Sequence, residues 1–409
     1  EGKALRSEYK EVLPHLKQLY SLYQVLLAAR HERGAIDFET QETRIIFGAG
    51  RKIAEIRPTQ RNDAHKLIEE CMLAANVATA AFMQKHEIPA LYRVHDGPPP
   101  ERLEKLKAFL AELGLSLHRG KSKDGPSPKD YQALLETIRG RDDYHLIQTV
   151  MLRSLSQAVY SADNQGHFGL NYEAYTHFTS PIRRYPDLLT HRAIRSVIRS
   201  KLDTPHVRRA GAVAMPRARI YPYDEAALEQ LGEQCSLTER RADEATRDVV
   251  NWLKCEFMKD RVGETFQGVI TAVTGFGLFV ELKDIYVEGL VHVTALPGDY
   301  YHFDPVHHRL AGERSGRNFR LGDSVEVRVM RVDLDERKID FEMSEGMLNA
   351  PVGRKGRGAA PAGRKSSASG KDSASTDVRK SRELKQSLLG EAKAAGKRPP
   401  KGKSSSAPA

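Results

Sequence analysis

Near Arg261 the spacing of apolar residues changes, and that change divides the chain. Before it, apolar side chains recur three and four positions apart, the spacing of one face of a helix; after it they alternate, the spacing of a strand. From Leu13 to Arg30 the apolar set is Leu16, Leu19, Tyr20, Tyr23, Leu26 and Leu27. Asn62-Asp63 is placed to cap a second helix, with a stripe of Leu67, Ile68, Cys71, Met72, Ala75, Ala78, Phe82 and Met83. Further helices are expected over Glu101 to Leu113, after Pro186, and over Leu228 to Met258. Residues 264–343 instead predict five short strands, 265–273, 278–282, 286–293, 325–332 and 337–343, punctuated by Gly275, Gly277 and Gly322-Asp323. Five strands over this length suit a small OB-type barrel. The expected fold class is α+β: a mostly helical part over 1–260, a five-stranded barrel over 261–345, and a disordered basic tail over 346–409.

Charge is unevenly spread. Residues 351–409 hold 15 Lys/Arg and 4 Asp/Glu, so the tail carries +11 of a total of +10 and residues 1–350 carry about −1. A basic surface on the body must therefore come from local arrangement. Three cysteines, Cys71, Cys235 and Cys255, have no close-pair spacing. That argues for a reducing compartment, the cytoplasm, and against a zinc knuckle. No apolar run approaches the ~20 residues that span a bilayer, so no membrane partner is expected. Glu1-Gly2-Lys3-Ala4 has neither an initiator Met nor a signal-peptide core, which predicts a fragment cut from a longer protein.

The run Tyr175-Thr176-His177-Phe178-Thr179-Ser180-Pro181-Ile182-Arg183-Arg184-Tyr185-Pro186-Asp187 carries the sharpest chemical signal. Each proline fixes its own φ and restricts the residue before it, so two arginines sit on a stiff turn. The planar fork of arginine offers paired donors to a phosphate diester. The plain alternative is that Arg183 and Arg184 pair with Asp187 or neighbouring acids and do no more than fix a helix start.

The surrounding block resembles the ribonuclease II/R (RNB) family of exoribonucleases over nearly all of residues 1–345. The resemblance rests on Gly34 to Glu39, Gln60-Arg61-Asn62-Asp63-Ala64-His65, Glu69-Glu70-Cys71-Met72, Arg93-Val94-His95-Asp96, His167 to Asp187, and Glu239-Arg240-Arg241-Ala242-Asp243. It implies processive 3′→5′ hydrolysis of single-stranded and structured RNA to 5′-mononucleotides at a buried magnesium site. It implies that Arg183 is catalytic, binding phosphate near the scissile bond, where a fixed guanidinium stabilises developing charge. Arg184 and Tyr185 are candidate RNA-binding residues on the same element. Glu69 or Glu70 would accept a bond from a ribose 2′-OH, helping to tell RNA from DNA. Glu69 is favoured because it shares a helix face with Asn76.

One departure stands out. The aspartate cluster that holds magnesium in that family has no counterpart here, and Asp142-Asp143 reads as a helix cap. The magnesium ligands are therefore expected upstream of this chain, with no metal ligand within it. This leaves a rival reading open, a non-catalytic single-stranded RNA-binding module.

The stretch Gly263 to Ile270, Gly275 to Val280 and Glu288 to His292 resembles the ribosomal protein S1-type RNA-binding domain. Period 2 puts Leu278, Val280 and Leu282 on one face and Phe279 on the other, where it can stack on a base. On the family pattern Phe276 and His292 join it, with Arg337 near a phosphate; the alternative for Phe276 is the core. His302, His307 and His308 lie in a long insertion and lack partner cysteines. The tail is expected to hold RNA weakly and in a salt-dependent way. The family resemblance adds ribosome and trans-translation components as possible tail partners.

Overall fold

The computed structural model describes residues 2–38, 42–59, 61–117, 125–141, 143–200, 213–296, 298–305 and 307–344. The expected disordered tail and Asp142 lie outside them. The helical part begins with α1 (Gly2–Glu8) and α2 (Leu13–Arg33). The periodic residues of α2 make a helix, as expected, but the described residues bury only Tyr23 and Arg30 of it. Leu16, Leu19, Tyr20 and Leu27 stay exposed.

A hairpin follows that helical periodicity did not predict: β1 (Thr43–Phe47) paired antiparallel with β2 (Ile53–Pro58). β-Branched Ile45, Ile46, Ile53 and Ile56 favour the pleated surface. Ile56 is buried in the core of the barrel described below, with Ile45 and Ile53 packed against it.

Helix α3 (Asp63–Lys85) starts at the expected cap: the Asn62 side chain accepts from the Ala64 and His65 N–H groups. Its buried face departs from the apolar stripe. Glu70, Leu73, Asn76, Thr79, Ala80 and Met83 are buried, while Ile68 is exposed. Polar groups can turn inward there because each of Glu70 and Asn76 finds a hydrogen-bond partner.

Next come β3 (Tyr92–Val94), α4 (Pro100–Glu112), α5 (Pro128–Ile138), α6 (Tyr144–Ser154) and β4 (Val159–Ser161), which pairs antiparallel with β3. Asp143 occupies the cap position of α6, yet its carboxylate binds Arg141 at 2.7 Å rather than the helix N–H groups. One core joins α4, α5 and α6 through Leu110, Tyr131, Ile147 and Met151. A second joins α3 and β3 to α7 (Tyr185–Ser200) and α9 (Glu225–Lys259) through Met83, Val94, Leu189 and Leu228. The short α8 (Arg217–Ile220) lies between them in sequence. Helix α9 can lie against β4 because residue 232 is glycine: a Cβ there would stand 2.9 Å from the Tyr160 carbonyl oxygen.

The barrel is closed, in the order β11 (Ser324–Asp333), β12 (Lys338–Met343), β7 (Glu288–His292), β6 (Gly277–Leu282), β5 (Thr265–Thr274). All five expected strands are present, within two residues of their expected ends. Leu278, Val280 and Leu282 point into the core as period 2 requires. The insertion carries an unpredicted antiparallel sheet of β8 (Tyr301–Asp304), β9 (Arg309–Gly312) and β10 (Asn318–Arg320). Tyr301, Leu310 and Phe319 of this sheet join the barrel core.

Candidate nucleic-acid interface

The turn before α7 is held from both ends. Ser180 accepts at its carbonyl from the Arg183 and Arg184 N–H groups, at 3.3 and 3.1 Å. Asp187, fully buried, accepts at Oδ1 from the Ser180 N–H at 2.8 Å and from the Arg184 guanidinium at 2.7 Å. Upstream, Asn76 donates to the Tyr175 hydroxyl at 2.8 Å and accepts from the Phe178 N–H at 3.0 Å. His191 of α7 stacks on Phe178 with ring centroids 4.3 Å apart and bonds to its carbonyl at 2.9 Å. α3 and α7 thus grip one extended segment, and the loop between the prolines projects from it.

The two arginines end up in different states. Arg184 is largely enclosed and spent on Asp187. Arg183 is exposed, beside a fully exposed Ile182, and has no hydrogen-bond or ion-pair partner among the described residues. The expected pairing with Asp187 is made by Arg184 and not by Arg183, because the buried carboxylate faces that side of the turn. Tyr185 is exposed at the start of α7, its hydroxyl 3.5 Å from that of Tyr223.

Behind the turn lies a set of enclosed rings. His177 shares a 2.8 Å hydrogen bond with the Tyr160 hydroxyl and meets Tyr160 and Tyr175 edge-on. Arg93 lies over the Tyr160 ring at 4.6 Å and pairs with Glu239 of α9 at 2.7 Å. Burial, reinforced by Arg184, Arg93, His167 and Arg183, pushes the His177 pKa down to about 2. Burial, with His95 and Arg93, pushes His167 down to about 3.

A pH dependence follows. Both rings stay neutral in the fold while the unfolded chain takes up their protons near pH 6.5. The stability they permit is whole above that pH. It falls as pH drops below 6.5, by up to about 1.4 kcal/mol per pH unit for each ring. His177→Asn, which keeps a polar atom for Tyr160 and does not titrate, should flatten the loss of melting temperature between pH 6.5 and 5. An unchanged slope would show that His177 is not held neutral.

The paired glutamates also separate. Glu70 is enclosed and bound to Arg30 at 2.8 Å. Glu69 is partly exposed and bridges Arg30, at 3.2 Å, and Arg61. Burial works against the charge on Arg30, but Asp37, Glu70 and Glu69 outweigh it and raise its pKa. A pocket of about 340 Å³ beside these groups is lined by Tyr23, Arg30, Phe38, Arg61, Lys66 and Glu69. Glu69 is the accessible carboxylate of the two, though not for the expected reason, since Asn76 is buried under Tyr175 and Phe178.

On the barrel, Phe276 is 51% exposed and meets the half-buried Phe279 edge-on at 5.9 Å. The exposed His292 is the cross-strand partner of Gly277. Gly277 must lack a side chain, because a Cβ would collide with the Val291 carbonyl oxygen. Phe276, Phe279 and His292 therefore share one open face. Arg337 stands apart from them. It pairs with Asp248 of α9 at 3.2 Å, and it lies three residues before Asp340, which is level with Leu290. It sits in the turn before β12, with a positive φ.

Among the described residues no three His, Cys, Asp or Glu side chains converge to hold a metal. The carboxylates of Asp187 and Glu239, which support the turn, each serve an arginine. The described residues therefore do not fit a magnesium site. Sequence reasoning missed Asn76, His177, Arg93 and Glu239 as supports of the turn. An asparagine in mid-helix was the one visible signal.

The comparisons bear on both parts of the chain. Residues 2–200 match the family described as RNB domain, and residues 259–344 match the S1 RNA binding domain. The molecule is therefore an RNB-domain chain with an S1 domain after it. It is similar to ribonuclease R: 54% identical to that of Vibrio cholerae over 341 residues, and 52% to that of Escherichia coli over 340. Each match covers 83% of this chain and 40% of the relative, so the chain spans well under half the length of either. The apo form of Mycoplasma genitalium RNase R superposes with a TM-score of 0.70 at 27% identity, over 81% of this chain and 50% of that one. The same protein in complex with ribose methylated single-stranded RNA matches equally well. Among the described residues no helix is long and apolar enough to cross a membrane.

Proposed function

We propose that this chain is the RNA-gripping part of a 3′→5′ exoribonuclease that hydrolyses single-stranded and structured RNA processively to 5′-mononucleotides. The observation that carries this is Arg183, a guanidinium unpaired among the described residues, on a turn clamped by Asn76, Asp187 and His191. A guanidinium on a fixed turn starts close to where phosphoryl charge would develop, and it has no partner among the described residues to leave first. The similarity to ribonuclease R supplies the reaction class. The proposed division is 1–260 for the RNB part, 261–345 for the S1 domain and 346–409 for the basic tail.

Arg183 is the catalytic group in this reading, and Arg184 with Asp187 positions it. Glu69 meets the ribose, and Tyr185 sits beside the thread. A divalent metal, magnesium in this reading, would supply charge neutralisation at the scissile phosphate. Its ligands would lie outside the described residues, none of which converge to hold it. Phe276, Phe279 and His292 hold bases by stacking. Arg337 reaches a phosphate by leaving Asp248, and an exposed pair of this kind is worth at most about 1 kcal/mol. The tail adds salt-dependent attraction to RNA and a surface for ribosome and trans-translation components. Three free cysteines suit the cytoplasm.

The lack of a metal cluster among the described residues favours a second reading for this chain in isolation, that of binding RNA without cutting it. Phe279→Ala tests the shared part of both. It should weaken binding of an oligoadenylate to residues 1–409 by about 1–3 kcal/mol. Unchanged affinity would remove the barrel from the RNA path. Magnesium-dependent degradation of poly(A) by residues 1–409 would remove the second reading.

A further inference from the structure

We propose that the inserted sheet extends the stacking strip of the barrel, with Phe303 taking one further base of single-stranded RNA. The inference rests on the barrel face binding RNA. In β8 the alternation sends Tyr301 and Phe303 to the same side. Tyr301 is buried against the barrel core, while Phe303, two residues on, is 39% exposed. The strand therefore runs off the edge of its support and leaves the second ring uncovered.

Where the ring stands matters more than its exposure, because single exposed apolar residues are ordinary. A Cβ on Gly275 would lie 4.0 Å from the Phe303 Cβ, so Phe303 borders the turn that carries Phe276. The missing side chain at 275 leaves the ground between the two rings open. Phe276 already has its edge contact with Phe279, whereas Phe303 has no ring partner among the described residues. Phe303 thus borders at its Cβ the turn that carries the pair of Phe276 and Phe279, and the three part-exposed phenylalanines form one run, with no ring contact between Phe303 and the pair among the described residues. A stacked single strand is the occupant such a run suits, since every base offers a face to an aromatic ring.

Tyr300 supplies an internal control. It is 71% exposed, more than Phe303, but alternation puts it on the opposite face with His302, whose ring centroid is 5.7 Å away. A general effect of exposed aromatics would show at Tyr300; a strip continuous with Phe276 would not.

The experiment measures binding of oligoadenylates of about 4 and about 10 nucleotides, the range one OB fold spans, to residues 1–409 at low and high salt. Phe303→Ala and Phe303→Leu should weaken the longer oligonucleotide roughly fivefold or more, at both salt concentrations, and leave the shorter one unchanged. Phe303→Trp should restore binding, and Tyr300→Ala should have no effect. Retained affinity in both Phe303 variants, with Phe279→Ala still impaired, would end the strip at Phe276 and overturn the extension alone. Retained affinity in the Phe279 and Phe303 variants together would overturn the barrel reading beneath it. Equal losses in Tyr300→Ala and Phe303→Ala would also overturn the extension.

Discussion

Replacing Arg183 by alanine, in a full-length enzyme of the proposed kind that carries this chain, is expected to slow RNA cleavage by roughly 100- to 1,000-fold, the usual cost of removing one donor to a developing oxyanion. RNA affinity should change little, because the barrel and the rest of the path hold the strand. The prediction rests on the difference between neighbours. Arg184 is occupied by Asp187, whereas the Arg183 guanidinium has no partner among the described residues to leave before it meets phosphate. Arg183→Lys should recover only part of the rate, since an ammonium keeps the charge and loses the fork. Single-turnover rates beside equilibrium binding separate the two quantities. Full turnover in Arg183→Ala would end the assignment. A matched loss of affinity and rate would make the residue a grip on the strand rather than a group acting on the transition state.

Removing the carboxylate of Asp187 should destabilise the fold by about 3–5 kcal/mol, the cost of stranding the other half of a buried ion pair. The loss has two sources here. Arg184 would keep a largely enclosed charge without its partner, and the Ser180 N–H would lose its acceptor. Both partners already hold one buried polar atom without a hydrogen bond, Arg184 Nε and Asp187 Oδ2, so the pair has no slack. Urea denaturation of residues 1–409 measures the effect. A loss below about 1 kcal/mol would mean that the prolines, not the pair, hold the turn. Asp187→Asn should lie between, since it keeps an acceptor for Ser180 and gives up the charge. If the pair positions Arg183, Asp187→Asn in the longer protein should lower the cleavage rate more than it raises the KM.

The helical and barrel parts were legible because burial on one side imposes a period. The strand ends of the barrel and the start of α3 follow from alternation and from Asn62. The hairpin at Thr43–Pro58 and the sheet at Tyr301–Arg320 were not legible. Each is short, and each is stabilised by residues far along the chain: Ile56 by the barrel core, Tyr301 by Phe319 and the barrel strands. The buried face of α3 misled the periodic reading for a related reason. Apolar spacing assumes that polar groups face water, and it is silent about a glutamate that meets Arg30 or an asparagine that meets Tyr175.

The candidate site divides along the same line. The prolines, the two arginines and the alternation around Phe279 are local, so the sequence by itself determined that a stiff cationic turn and an outward ring exist. Which arginine stays free, which glutamate is enclosed, and which exposed phenylalanine adjoins the strip were decided only by the tertiary structure. Those outcomes depend on partners 99 residues apart, as for Asn76 and Tyr175, or 40 apart, as for Arg30 and Glu70. A period records which way a side chain faces; whether its charge or ring is already occupied depends on what the fold brings opposite to it.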